Sequence, residues 1–480
     1  MGLSKNERCD KMFDRLTAGH NIKRFVIFLN AIFNTLLYTS IFAFVWEEHY
    51  NPLMGMYFFK NGNIILYFVY AIIYFIIIEM YGGFRIGSLR ITDSVFTHTI
   101  SVLFADFIAY LLMCLIARDI INPLMLIATI PVVIVATILW NTYIHRNFAK
   151  LFPPKKMILV YANKSARSLV YKMSKRYDKF IICAAINTNE GFERISREII
   201  NYDAVVICDT ENEIRNDILK FCFKHRIMTY ITPKISDILI RGSEELHILD
   251  TPLLVSRNFG AKLEQRILKR IFDFVVSLIG LIVLSPFFLG VAIAIKAYDG
   301  GPVIYKQKRL TYLGKEFYLY KFRSMIIDAE KDGKARLAAE GDSRITPVGN
   351  FIRKTRLDEL PQLLNILKGD MSIVGPRPER PEIAEEYMET IPEFSFRLNA
   401  KAGLTGYAQV MGKYNTTPYD KLKMDLIYIE NFSLLLDLKL ILMTIKVIFE
   451  KESTEGIDEK ALNAMDLSYK ETEEKVLTEV

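Results

Sequence analysis

Four apolar runs, Phe25–Trp46, Ile64–Met80, Val95–Ile116 and Leu124–Tyr143, alternate with short polar connections over the first third of the chain. Each is long enough, as a helix, to cross a hydrocarbon layer of about 30 Å, so residues 1–150 are expected to form a four-helix transmembrane region. The pattern then changes. The short runs "MILVYA", "FIICAAI" and "DAVVICD" are separated by amphipathic stretches, which predicts a Rossmann-like parallel α/β domain over 151–255. A fifth apolar run fills 271–297 and a mixed region follows to about 453, while 454–480 is acidic and polar and is expected to be a flexible tail. The expected fold class is a membrane α-helical bundle, an α/β domain, and an α-rich (α+β) membrane-associated domain with a re-entrant helix over 265–453.

Positive residues fall on one side of the first four runs. Lys5, Arg8, Lys11, Arg15, Lys23 and Arg24 precede the first, Arg85 and Arg90 lie between the second and third, and Arg146, Lys150, Lys155 and Lys156 follow the fourth. The connection after the first run holds Glu47, Glu48 and a single lysine, so both ends of the bundle are expected in the cytoplasm. Asp106 in the third run reads as an acid satisfied inside the bundle, with a transport path as the alternative. In the fifth run Ser285-Pro286 falls near the middle, and Arg270 and Lys296 flank the two ends. Proline removes a backbone donor and a serine hydroxyl can satisfy the freed carbonyl. A helix that enters and leaves the same leaflet reconciles these features; a kinked fifth span is the alternative.

Composition agrees with a membrane protein: the 480 residues are 51% hydrophobic with a formal charge of +7, and the mean hydropathy is +0.20. The five cysteines form no C-x-x-C or paired spacing, which excludes a disulfide framework and a cysteine zinc site and fits a reducing compartment. No cleavage motif follows the first apolar run, and Met1-Gly2 lacks the Ser or Thr of a myristoylation site, so this segment is expected to be retained. The turn after the first α/β strand reads Ala162-Asn163-Lys164-Ser165-Ala166-Arg167 and contains no glycine. Backbone cannot approach a pyrophosphate there as a dinucleotide site requires. Tyr171 and Lys175 have the spacing of a dehydrogenase acid/base pair, but without the glycine loop the domain reads as non-catalytic.

No histidine follows His247 and no cysteine follows Cys222, so the C-terminal half is left with carboxylates as its acids, bases and nucleophiles. There "TRLDELPQL" sets Asp358 beside Glu359, and Leu357, Leu360, Leu364 and Leu367 recur at helical spacing, predicting a helix that carries both acids. Upstream, "YKQKRLTYLGKEFYLYKFRSM" supplies a basic run that could anchor to anionic lipid or hold phosphates. Downstream, Pro376-Arg377-Pro378 fixes one guanidinium for bidentate phosphate binding. A carboxylate nucleophile, a second carboxylate for a hard divalent cation, and cations for phosphate oxygens together suit phosphoryl transfer.

From Lys269 to about Glu452 the chain resembles the bacterial sugar transferase family, the monotopic polyprenyl-phosphate phosphoglycosyl transferases. The resemblance is carried by "KRIFDF", the Ser285-Pro286 step, "GPVIYKQKRLTYLGKEFYLYKFRSM", "LDELPQLLNILKGDMSIVGPRP" and "AGLTGYAQVMGKYN". It implies transfer of a sugar 1-phosphate from a UDP-sugar to undecaprenyl phosphate at the inner leaflet of the cytoplasmic membrane, with release of UMP. This would be the first membrane step of exopolysaccharide, capsule or O-antigen synthesis. Residue by residue, it implies Asp358 as the nucleophile of an aspartyl-phosphosugar intermediate and Glu359 as a Mg²⁺ ligand. It also implies Arg377, Lys321 and Arg323 as nucleotide- or phosphate-holding groups, with Gln307 and Arg309 as further candidates, and Ser285 and Pro286 as the break of the re-entrant helix. Inner-leaflet lipids and a second copy of the chain are the implied partners; no nucleic acid is expected. Ala402 replaces a common proline and Met411-Gly412-Lys413 a common Asn-Gly-Arg, which leaves the sugar open. A processive glycosyltransferase would need an Asp-x-Asp, which does not occur after Lys269. A nucleotide-sugar dehydratase would need the missing glycine loop, and a scaffold would leave the acid pair and the basic motifs without a role.

Overall fold

The computed structural model describes the chain apart from residues 1–4, 55–59, 88, 164–165, 257–261, 328–341, 343, 413–415 and 449–480, together with the side chains of 5–20 and 60. The expected tail at 454–480 lies outside the described residues. The fold divides between Thr232 and Pro233 into two compact units.

The first unit begins with helices α1 (Lys5–Val45), α2 (Lys60–Tyr81), α3 (Ile91–Ala117) and α4 (Leu124–Leu151). All four are long and apolar enough to cross a membrane. Their exposed positions are rich in Phe, Leu and Ile, while the interior is aromatic: Trp46, Tyr38, Phe42, Tyr50, Tyr70 and Tyr74 are fully buried, and Phe42 stacks on Tyr70 at 4.1 Å. Polar atoms inside such a bundle need partners from neighbouring helices. The Tyr70 hydroxyl donates to Asp106 Oδ1 at 2.8 Å, Tyr74 Oη lies 2.7 Å from His98 Nδ1, and Tyr38 meets Thr137 at 2.7 Å. Asp106 is thus satisfied internally, as its sequence context predicts.

After α4 come β1 (Lys155–Tyr161), α5 (Ala166–Ser174), β2 (Phe180–Asn187), α6 (Phe192–Ile199), β3 (Ala204–Cys208), α7 (Asn212–Lys224) and β4 (Met228–Ile231). The strands form one parallel sheet in the order β2-β1-β3-β4. The central β3 is buried along its whole length, which its Ala-Val-Val-Ile-Cys sequence permits. Lys175 Nζ sits 4.5 Å from the centre of the Tyr171 ring, so this pair forms a cation–π contact.

The second unit opens with α8 (Ile235–Arg241) and an antiparallel ribbon of β5 (Glu244–Ile248) and β6 (Thr251–Val255). The sheet of the first unit ends at β4; Ile235 and Ile238 belong instead to the core that contains Leu422 and Leu426. Then follow α9 (Leu263–Asp299), β7 (Ile304–Leu310), β8 (Glu316–Phe322), α10 (Pro347–Lys354), α11 (Gln362–Lys368), β9 (Ser372–Val374), α12 (Pro381–Thr390), β10 (Gly403–Thr405), α13 (Tyr407–Met411), α14 (Pro418–Glu430) and α15 (Leu434–Ile448). β7 and β8 form an antiparallel hairpin and β9 and β10 a short parallel pair. The core between them contains Phe317, Leu319, Ile366, Met371, Val374, Phe394 and Leu440.

In place of a helix-break-helix, α9 is a single helix of 37 residues that runs through Pro286. Proline at 286 leaves the Ile282 carbonyl without its usual donor, and the Ser285 hydroxyl supplies one at 2.7 Å. This local repair lets the helix continue. Both halves of α9 are tied to the same unit. Arg270 donates to the Ile366 and Leu367 carbonyls, Asp273 accepts from Ile373 N–H at 3.1 Å, and Lys269 pairs with buried Asp437 at 2.6 Å. Beyond the proline, Phe288, Val291 and Ile295 pack with Phe322 and Ile352, and Asp299 forks onto Arg323. Between these anchors Ile282, Val283, Phe287 and Leu289 are exposed. Only 6% of the most apolar window of α9 is buried, against 28–39% in the other four apolar helices, which leaves an extensive apolar surface uncovered.

The β9–β10 pair is close enough to require glycine on both sides. A Cβ at Gly403 would lie 2.1 Å from Gly375 N and 2.4 Å from Thr405 O, and one at Gly375 would lie 2.2 Å from Lys401 O. All of these are backbone atoms that cannot move alone. Gly403→Ala is therefore expected to destabilise the protein by about 1–3 kcal/mol. Thermal unfolding of the detergent-solubilised chain measures this, and an unchanged midpoint would contradict the close approach.

Candidate active site

Asp358 and Glu359 do not sit on a regular helix. They occupy a single 3-10 turn, Leu357–Glu359, between α10 and α11. Arg356 ahead of them adopts the left-handed region at φ 56°, which ends α10, and Pro361 behind them caps α11 without a backbone donor. A non-glycine residue in that region costs about 1–2 kcal/mol, so strain is stored next to the acid pair. With about three residues per 3-10 turn, neighbouring side chains diverge by about 120°, and the two carboxylates enter different surroundings.

Asp358 is buried, at 7% exposure, and no hydrogen bond or ion pair ties it to a described residue. Burial, with the charge of Glu359 beside it, raises its pKa above the usual carboxylate value; Lys321, Arg353 and Arg356 oppose that rise without cancelling it. Glu359 has the reverse balance. Burial alone would raise it, but Lys321, Arg377 and Arg356 together outweigh burial and hold it well below the ordinary glutamate range. Lys321 Nζ contacts Glu359 Oε1 at 3.0 Å and Arg377 Nη2 contacts the same oxygen at 3.2 Å. Among the described residues one acid of the pair thus takes the direct ion pairs and the other takes none.

The expected site residues separate in space. Lys321 on β8 and Arg377 in the Gly375–Glu379 loop meet at Glu359. Arg309 on β7 reaches the same loop by donating to the Pro378 carbonyl at 3.0 Å, and burial with Arg377 nearby lowers its pKa to about 10. Gln307 accepts from Arg309 at 2.6 and 3.1 Å, so it braces that guanidinium. Arg323 is buried, makes a two-pronged pair with Asp299 and donates to the Pro302 carbonyl at 2.8 Å. Its guanidinium fastens the end of α9 to β8. Ser285 and Pro286 lie mid-way along α9, away from its anchored ends.

Several supporting residues are not singled out by the sequence pattern, Asn365 among them although it lies within the motif that carries the acid pair. Asn365 on α11, fully buried, accepts from Tyr320 N–H at 3.0 Å and donates to the Tyr318 carbonyl at 2.7 Å, clipping the acid-bearing segment to the β8 edge. Arg397 and Asp425, both buried and 2.8 Å apart, stand behind the Arg377 loop. Among the described residues no group of three His, Cys, Asp or Glu side chains gathers to hold a metal. A magnesium ion, however, commonly takes only one or two carboxylates and completes its shell with substrate phosphate and water. Glu359 fits that demand, since the hydrogen bonds from both cations go to Oε1 and none from them goes to Oε2.

Residues 264–451 match the family model described as bacterial sugar transferase. The UDP-N-acetylgalactosamine-undecaprenyl-phosphate N-acetylgalactosaminephosphotransferase of Aeromonas hydrophila is 36% identical over 258 residues, 52% of this chain and 59% of that protein. The UDP-glucose:undecaprenyl-phosphate glucose-1-phosphate transferase of Klebsiella pneumoniae is 42% identical over 184 residues, 37% of this chain and 39% of that protein. The chain thus spans less than two thirds of either relative. The undecaprenyl-phosphate galactose phosphotransferase of Salmonella typhimurium is 32% identical over 332 residues, 62% of this chain and 69% of its own length. The family-model match covers the α9 anchor residues, the basic hairpin, the acid pair and the Pro-Arg-Pro loop, all within 264–451. On the strength of that shared region, the chain belongs to the bacterial sugar transferase family.

Proposed function

We propose that the chain transfers a sugar 1-phosphate from a UDP-sugar to undecaprenyl phosphate, through a covalent intermediate on Asp358. The observation that carries this reading is the asymmetry of the acid pair: Lys321 and Arg377 bind Glu359, while Asp358 is buried beside them without a direct partner among the described residues. An unpaired, desolvated carboxylate is a better nucleophile than a paired one, and the neighbouring cations suit the negative charge that gathers on phosphoryl oxygens. The named relatives act on undecaprenyl phosphate with sugar phosphates.

In the first step an Asp358 oxygen attacks the sugar-proximal phosphorus. The bond from that phosphorus to the bridging oxygen breaks, and UMP leaves with the electron pair. Arg377 and Lys321 hold phosphate oxygens, and Arg309, braced by Gln307, supports the loop that carries Arg377. In the second step a phosphate oxygen of the lipid attacks the same phosphorus, the acyl–phosphate bond breaks, and the Asp358 carboxylate is restored. Mg²⁺ held by Glu359 and the donor diphosphate would neutralise charge on the departing UMP. Because donor and acceptor use one centre in turn, a soluble nucleotide and a membrane lipid need not be bound together.

A re-entrant course for α9, which is helical through Pro286, would suit this use. Both halves are anchored to the same unit, large apolar residues are exposed along the helix from Ile271 to Ile293, and Arg270 and Lys296 flank the run, so the positive-inside rule favours both ends on the cytoplasmic face of the inner membrane. The three named relatives handle three different sugars, so the donor sugar must be found by experiment.

UMP release with undecaprenyl phosphate and Mg²⁺, across a panel of UDP-sugars, tests the reaction. Asp358→Asn is expected to lower turnover by at least about 10³-fold, and near-normal turnover would remove the covalent route. Chelation by EDTA is expected to stop UMP release and added Mg²⁺ to restore it, with Glu359→Gln needing more Mg²⁺ than wild type; activity unaffected by EDTA would exclude the ion.

Stability should move the other way. The folded pKa of Asp358 lies above its unfolded value of about 3.9, so its ionisation penalises the fold as pH rises through the folded pKa, and the penalty is absent below the unfolded one. Asp358→Asn is expected to raise the unfolding midpoint at neutral pH, by about 2–4 °C per kcal/mol recovered, with the gain fading on acidification. A midpoint lowered at neutral pH would show that the carboxylate is held by favourable contacts.

A further inference from the structure

We infer that Arg397, paired with Asp425, is a positioning residue: it fixes the backbone of Arg377 so that the Arg377 side chain stands at the acid pair. The inference rests on the reading of Arg377 as a phosphate-holding group.

The Gly375–Glu379 loop contains two prolines, which remove two of its own donors. It is held through its carbonyls instead. Pro376 O accepts from Gly403 N–H at 2.9 Å, Arg377 O from Arg397 Nη2 at 2.9 Å, Pro378 O from Arg309 Nη1 at 3.0 Å, and Glu379 O from Leu310 N–H at 3.0 Å. Four successive carbonyls are gripped from three places in the chain: β7, β10 and Arg397. The grip on Arg377 itself comes from Arg397.

Arg397 is 5% exposed and Asp425 1%. Arg397 Nε donates to Asp425 Oδ2 at 3.0 Å, Nη2 lies within ion-pair distance of the same oxygen at 2.8 Å, and Nη1 lies 3.5 Å from Glu379 Oε1. The guanidinium also stands 4.8 Å from the centre of the Phe394 ring, which fixes its plane. A buried ion pair seldom stabilises a fold more than apolar side chains of the same volume would. Stability alone therefore gives little reason for charges here, whereas the bond to the Arg377 carbonyl gives a specific one. The Arg377 side chain is 44% exposed and meets Glu359 through one nitrogen. With so much of it in solvent, its aim depends on where its backbone is held. Lysine at 397 would keep the charge but lose the planar fork that serves Asp425 and the loop carbonyl together.

The test uses the full detergent-solubilised chain, with UDP as a binding probe by calorimetry, UMP release as the activity, and the unfolding midpoint as the control. The variants are Arg377→Ala, Arg397→Lys and the paired Arg397→Met with Asp425→Leu, the last two also combined with Arg377→Ala. Arg397→Lys and the paired apolar change are expected to weaken UDP binding on the order of 10- to 100-fold and to raise the donor KM more than they lower kcat, with the fold kept. In the Arg377→Ala background neither should cost anything further, because a residue acting through Arg377 has nothing left to position. Additive losses, full UDP affinity in the paired variant, loss of fold in both Arg397 variants, or UDP binding that is absent or indifferent to Arg377 would each overturn the proposal. Failure of the proposed reaction is read separately, as a wild type that binds UDP through Arg377 yet releases no UMP.

Discussion

The second unit depends on how one long apolar helix is tied to a polar site. Lys269, near the start of α9, reaches Asp437, whose side chain is fully buried, and the Tyr428 hydroxyl lies between Asp437 and the Val374 carbonyl, at 2.8 and 3.1 Å. Four residues on, Asp273 accepts from the Ile373 amide. A helix that is mostly apolar thus meets β9 through charge-assisted bonds rather than through packing alone, and such bonds have direction. They set where β9 ends and where the Gly375–Glu379 loop begins. Removing one partner would leave a buried charge uncompensated, which makes this junction costly to break.

From that junction the geometry of the site follows in short steps. Arg270 holds the last carbonyls of α11, and Asn365 within α11 clips onto β8, so the segment bearing the acid pair is fixed both to α9 and to the hairpin. Lys321 on β8 then falls beside Glu359 because β8 and α11 are already joined. Arg377 arrives from the opposite side, on a loop whose carbonyls are held by β7, β10 and Arg397. Cations and acids that would be scattered on a surface are brought to one place with little freedom. Desolvation then makes their charges matter more than they would in water.

Strain and exposure are concentrated at the same place. Arg356 holds a left-handed backbone beside the pair, Asp358 is buried with a raised pKa, and the middle of α9 leaves large apolar side chains uncovered. Each feature costs stability in an isolated soluble protein. Together they are the features that the proposed reaction would use, with Asp358 meeting an anionic substrate at a lipid surface.

The sequence by itself determined the elements whose cause is local. Runs of Ile, Leu and Phe dictate the four helices of the first unit, alternating short apolar runs dictate the parallel sheet, and the ordered motifs between Lys269 and Glu452 place the acid pair, the basic hairpin and the Pro-Arg-Pro loop. Tertiary structure decided what depends on distance. A leucine pattern suggested that Asp358 and Glu359 share a helix, but a left-handed Arg356 and Pro361 confine them to one 3-10 turn. Arg323 sits in a basic motif yet its guanidinium binds Asp299, because the chain returns from α9 directly against β8. Ser285 satisfies the carbonyl freed by Pro286, so a residue pair that breaks helices leaves this one continuous. Arg397 and Asp425 are 28 residues apart in sequence and 2.8 Å apart in space. Periodicity reports which side of an element is buried, but which charge meets which is fixed only when the elements are packed, since an ion pair depends on separations of a few ångströms that no local pattern encodes.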